Sequence, residues 1–110
     1  MAHIGFISRE PNPPGVDLAH WRRIIASDER LTRPPPRDIV NPFTRKPEVH
    51  VPADTDATIA IDGLPVGAIT ASDRDDGELD VWGNGSRDDD VENLAREIAK
   101  ALGGQYTSFG

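Results

Sequence analysis

The spacing of Val91, Leu94, Ala95, Ile98 and Leu102 constrains the fold of this chain more than any other feature. These residues fall at i, i+3, i+4, i+7 and i+11, so a helix places all of them on one face. Asp88-Asp89-Asp90 precede the run, and acids at a helix start are favoured by the positive end of its dipole. Gly103-Gly104 follows it, and glycine stops helices because it adopts the left-handed conformation at little cost. A helix with one apolar stripe needs a layer to lie on, and the preceding residues supply it.

From Ala57 the pattern is that of a β-meander. Thr58-Ile59-Ala60-Ile61 alternates, Asp62-Gly63 has hairpin-turn chemistry, and Val66 to Ala71 forms the return strand. Glu78-Leu79-Asp80-Val81-Trp82 is the third strand, reached through the polar loop Ser72–Gly77. Its alternation turns one face to the core and the other to water. Gln105 to Phe109 reads as a final strand, and the helix before it allows a right-handed crossover to a parallel neighbour.

The first half opens with a short strand, His3 to Ser8, that ends at the proline-rich turn Glu10–Gly15. Asp17 then caps a helix running to about Asp28, with Leu18, Trp21 and Ile25 as its apolar stripe. Thr32-Arg33-Pro34-Pro35-Pro36-Arg37 favours polyproline geometry, either as a spacer or as a segment for an aromatic groove. Two extended arms follow, Asp38 to Phe43 and Glu48 to Pro52, joined by Thr44-Arg45-Lys46-Pro47. Their prolines at 42, 47 and 52 confine them to edges or irregular pairing. The expected architecture is a single α+β domain over residues 1–110, with proline-rich connections at about 10–15 and 32–52. A mostly antiparallel sheet carries two helices on one face, in the order β-α-β-β-β-β-β-α-β.

Composition narrows the function classes. The chain has no cysteine, which removes disulfides, thiolate metal sites and cysteine nucleophiles and fits a reducing compartment. No apolar run approaches the ~18 residues that cross a bilayer, and Met1–Ile7 lacks the basic start and long apolar core of a secretory leader. A cytoplasmic protein is expected. Residues 1–50 hold eight Lys/Arg against six Asp/Glu, whereas residues 51–110 hold four against thirteen. An acidic half of this kind repels phosphate backbones and anionic lipid, so neither nucleic acid nor membrane is expected as a partner. It attracts a basic protein or a cation, and it also serves simple solubility.

The residues that carry chemistry are sparse. Asp73-Arg74-Asp75-Asp76-Gly77-Glu78 has the acids and glycine of a calcium loop but neither its spacing nor its distal glutamate. A turn between strands explains the same residues. His3, His20 and His50 stand far apart, and His20 lacks a ligand partner one helical turn away. No serine sits in a G-x-S-x-G elbow, and Gly83-Asn84-Gly85-Ser86 lacks the lysine and length of a phosphate loop. No catalytic constellation, metal site or cofactor is therefore expected. Asn41-Pro42-Phe43 matches a short endocytic-adaptor peptide, but more simply Pro42 turns the chain and lets Phe43 cover the core.

Trp82 is the most informative single residue. Period-two alternation sets it with Glu78 and Asp80, opposite Leu79 and Val81. A tryptophan among carboxylates has the form of an interface anchor with a charged rim. The alternative is that a proline-rich arm folds across this face and buries it. The expected partner-binding surface comprises Asp73, Asp75, Asp76, Glu78, Asp80 and Trp82.

The pattern Asn41-Pro42-Phe43-Thr44 with Pro47 and Pro52, then Ile61-Asp62-Gly63, Val81-Trp82-Gly83 and Ala101-Leu102-Gly103, is similar to that of a group of small bacterial α+β proteins. Some of these look like immunity proteins of polymorphic toxin systems. The resemblance spans roughly residues 39–110 and implies a bacterial cytoplasmic interaction protein, with no site residues to carry over. A non-enzymatic protein-binding module, such as an immunity-type inhibitor of a basic toxin, is the first expectation. A self-associating structural or accessory domain is the second, and a small enzyme or ligand binder the third.

Overall fold

The computed structural model describes residues 1–72, 74 and 76–110. In chain order the elements are β1 (Ala2–Ser8), α1 (Leu18–Ser27), β2 (Leu31–Thr32), β3 (Arg37–Val40) and β4 (Pro47–His50). They continue with β5 (Ala57–Ile61), β6 (Leu64–Ala71), β7 (Leu79–Gly83), α2 (Asp88–Ala101) and β8 (Gln105–Ser108). The α+β order expected from the sequence is present, with the two-residue strand β2 added where the polyproline stretch begins.

Both helices end where their sequences dictate. The Asp17 carboxylate accepts from the N–H groups of Ala19 and His20 at 3.0 and 3.3 Å, filling donors the first turn of α1 leaves open. Trp21 and Ile25 are buried, but Leu18, the first residue of the helix, is 37% exposed. In α2, Val91, Leu94, Ala95, Ile98 and the following Leu102 are all buried, as their spacing requires. Gly103, at φ +74°, closes the helix: its N–H donates to Lys100 and that of Gly104 to Ala99, the paired bonds of a Schellman stop.

The main sheet has the order β2-β5-β6-β7-β1-β8, with every neighbouring pair antiparallel. The turn between β5 and β6 holds Asp62 at φ 53° and Gly63 at φ 78°, the two left-handed residues of a type I′ hairpin. The parallel neighbour that the crossover allowed for β8 is not the one it takes. Strand β1 occupies the place beside β7, so the connection through α2 lands one position further out and β8 runs antiparallel to β1.

One face of this sheet is sealed. Ile7, Ile59, Ile69, Leu79 and Val81 pack in a single cluster with Trp21 and Ile25 of α1 and Val91, Leu94 and Ile98 of α2. Each such side chain contributes roughly 1.5–3 kcal/mol by leaving water. No helix among the described residues is long and apolar enough to cross a membrane. The opposite face carries no helix, and β1 reaches it through a bulge. His3 pairs with Trp82 but Gly5 pairs with Val81, so Ile4 is an extra residue. The inserted residue moves His3 from the core side, where strict alternation with Gly5 and Ile7 sets it, to the open side.

Strands β3 and β4 pair only with each other, as a separate two-stranded sheet, and every residue of both is exposed. They form an arm that stands away from the body. The radius of gyration, 14.6 Å, exceeds the about 13 Å of a rounded domain of this length, as a projecting arm demands. Phe43, expected to cover the core, is 94% exposed at the tip of the arm. The Asn41 side chain sets this position by accepting from the N–H groups of Phe43 and Thr44 at 2.8 and 3.2 Å, which closes the turn locally.

Candidate functional site

Two surfaces bear on function: the open face of the sheet and the arm at its rim. On the open face, β7 contributes Asp80 and Trp82, β6 contributes Thr70 and Ala68 directly opposite them, and the bulge in β1 delivers His3 beside Trp82. The imidazole of His3 stacks on the Trp82 indole with ring centres 4.7 Å apart and planes inclined by 25°. Phe109 meets His3 edge-on at 4.8 Å, and Phe6 lies 5.7 Å from Phe109. The indole nitrogen of Trp82 donates to the Thr70 hydroxyl at 3.0 Å. Trp82 is thus half-buried against His3, with Phe109 on the edge of the histidine, while Pro34, Pro35 and Pro52 line a cleft with its cross-strand neighbour Ala68.

The carboxylates proposed from the sequence fall into three groups. Asp80 is 8% exposed, with its Oδ1 3.1 Å from His3 Nε2 and 3.3 Å from an Arg74 guanidinium nitrogen. The His3 nitrogen is buried and makes no hydrogen bond among the described residues despite this approach. Asp76 pairs with Arg74 at 3.3 Å and accepts from the Glu78 N–H at 3.1 Å. Glu78 is half-buried, and its carboxyl is pushed above the usual range by burial, with Asp76 adding repulsion. Asp73 and Asp75 lie outside the described residues. Arg74 therefore ties Asp76 to Asp80, and Trp82 shares their side of the molecule.

His3, Thr70, Asp56 and Arg74 line a shallow depression of about 440 Å³ with Asp80 and Trp82. The Thr70 hydroxyl is engaged by the indole, and no hydrogen bond joins His3 to a hydroxyl among the described residues. Nor do three or more His, Asp or Glu residues converge as metal ligands among the described residues. The depression presents an aromatic stack, a hydroxyl and charged side chains.

The arm has a different character. Directly opposed residues of a hairpin share a side, so Val40, Pro47 and Val49 lie together with Asp38, while Ile39 lies with Arg37, Glu48 and His50. Val40, Val49 and Val51 are each more than 60% exposed, and Phe43 extends beyond them. Residues 33–50 hold four Lys/Arg against two Asp/Glu, and the rest of the chain holds eight against seventeen. Among the described residues no carboxylate lies within ion-pair distance of Arg33, Arg37, Arg45 or Lys46, whereas five of the other eight cations are paired. Isolated exposed apolar residues are ordinary, whereas Val40, Phe43, Val49 and Val51 are exposed together on or next to an element with no core of its own.

Sequence reasoning missed His3 and Arg74 on the open face and Phe43 on the arm. A period-two reading has no signal for a bulge, which is what moves His3 across. For Phe43 the signal was present: Asn-Pro before an aromatic residue closes a turn by itself. In comparisons with known proteins, no family model, curated protein or solved structure matches the chain.

Proposed function

We propose that this protein is a non-enzymatic protein-binding module that docks through the β3–β4 arm. One observation carries the reading: a hairpin without a core exposes Val40, Phe43 and Val49, with Val51 just after it, and Arg37, Arg45 and Lys46 of the same segment lack a carboxylate partner among the described residues. Burying each large apolar side chain against a partner is worth about 1.5–3 kcal/mol, enough for a few residues to dominate binding. The partner surface that fits has an apolar recess for Phe43 and carboxylates for Arg45 and Lys46.

The finer reading, an immunity-type inhibitor in a bacterial cytoplasm, draws support from the residue pattern over 39–110, which includes the arm, and from the lack of cysteine. A second reading places a basic partner against Asp76, Glu78 and Trp82. The surplus of carboxylates in residues 51–110 favours it, although Asp76 and Asp80 already have an arginine between them.

Affinity capture from the source cell tests the two surfaces against each other. A double variant, Phe43→Ser with Val49→Ser, loses the captured partner, and Asp76→Lys with Glu78→Lys retains it. If the arm variant captures what the native chain captures, the arm is not the docking element.

A further inference from the structure

We infer that the arm's partner is a second copy of this chain, in a two-fold dimer where each arm lies across the other copy's open sheet face. The inference rests on the arm reading and names its occupant. Three observations lead to it.

The first is charge. The arm carries an excess of two cations, and the body from which it projects carries an excess of nine carboxylates. The arm of another copy meets an acidic body that the charge of the arm complements. Repulsion between two bodies of like sign is thereby offset at the points where the arms cross.

The second is placement. The root of the arm lies on the open side of the sheet, where Pro34, Pro35 and Pro52 form a cleft of about 290 Å³ with Met1, Ala68 and Thr58. An element that rises from one face projects over whatever is stacked on that face. When the stacked body is a second copy related by a two-fold axis, each arm covers the other and the contact closes on itself.

The third is the receiving surface. Helices seal one side of the sheet only. On the other side Phe6, His3, Trp82 and Phe109 form a connected aromatic cluster. Phe109 is 57% exposed and Met1 75% exposed. Phe43 and the valine side of the arm supply the missing apolar layer, and proline-stiffened connections limit the entropy lost on docking.

The test is sedimentation of the purified full chain across micromolar to millimolar concentrations, with and without added salt. The native chain should approach twice its 12.0 kDa mass, and the dissociation constant should rise at least tenfold for Phe43→Ser and for Arg45→Glu with Lys46→Glu. Far-UV circular dichroism should be unchanged in both. Because the chain has no cysteine, mixing Thr44→Cys with Gly110→Cys, exposed neighbours of Phe43 and Phe109, gives a defined cross-link that leaves both aromatic residues in place, and a disulfide-linked heterodimer places the arm on the open face. A strict monomer at every concentration overturns the second copy as occupant. So does a dimer that both arm variants leave intact. In the monomer case, arm-dependent capture of another protein keeps the docking element and replaces its partner, whereas arm-independent capture removes both readings.

Discussion

The indole nitrogen of Trp21 donates a hydrogen bond to the main-chain carbonyl of Thr55, 2.8 Å away, from a side chain with no exposed surface. This contact joins α1 to the turn that leads from the arm into β5. Replacing Trp21 by alanine removes the largest buried side chain and leaves the carbonyl without its donor. Such truncations cost about 3–5 kcal/mol. Trp21→Phe keeps most of the ring volume but loses the donor, so its cost falls lower, nearer the 1–3 kcal/mol of an unsatisfied buried group. Urea denaturation of the three proteins gives the ranking directly.

The arm responds in the opposite way. Phe43 is 94% exposed, so Phe43→Ser should change stability by no more than about 0.5 kcal/mol. Ile69→Ala, at a fully buried position of β6, should cost about 2–5 kcal/mol. A Phe43 variant that melts early would mean that the tip packs on the body in solution.

Arg87 reaches two carboxylates on different elements, Asp62 in the β5–β6 turn at 2.8 Å and Asp90 in the first turn of α2 at 2.7 Å. Exposed pairs of this kind add little to global stability. Arg87→Ala should therefore leave the unfolding midpoint nearly unchanged but speed amide hydrogen exchange in the turn around Asp62 and Gly63. Exchange at the native rate would show that the turn holds itself.

Two aspartates give the stability curve opposite slopes with pH. Hydrogen bonding to the Arg30 guanidinium holds the Asp28 carboxyl below its usual range. Its contribution is present above the unfolded-state value and fades as pH falls through the depressed folded-state value. Burial pushes the Asp56 carboxyl up. The stability tied to its neutral form is full below the unfolded-state value and fades as pH rises through the raised folded-state value. Asp28→Asn should accordingly lower the midpoint at neutral pH and match the native chain in acid. Asp56→Asn should raise it at neutral pH, with the gain vanishing in acid. Thermal melts from pH 2 to 8 check both signs.

The fold was largely legible because its signals are local. Asp17 before Leu18–Ser27, the Val91–Leu102 spacing and Asp62-Gly63 each specify an element from a few neighbouring residues. The candidate site was legible only in part. Alternation correctly put Asp80 and Trp82 on the side opposite Leu79 and Val81. It could not show that Ile4 is inserted as a bulge, so the stacking of His3 on Trp82 was hidden. The arginine between Asp76 and Asp80 was visible as a neighbour in sequence, but its pairing depends on how the loop closes. The arm strands were recognisable as extended, yet whether they join the main sheet is a long-range choice that proline content alone leaves open.

Because β3 and β4 pair only with each other, no strand ladder of the main sheet depends on their sequence or length. A different hairpin could be grafted between Thr32 and Pro52 without unzipping a single strand of the body. The hairpin is in that sense an interchangeable cassette, and the scaffold that carries it stays constant.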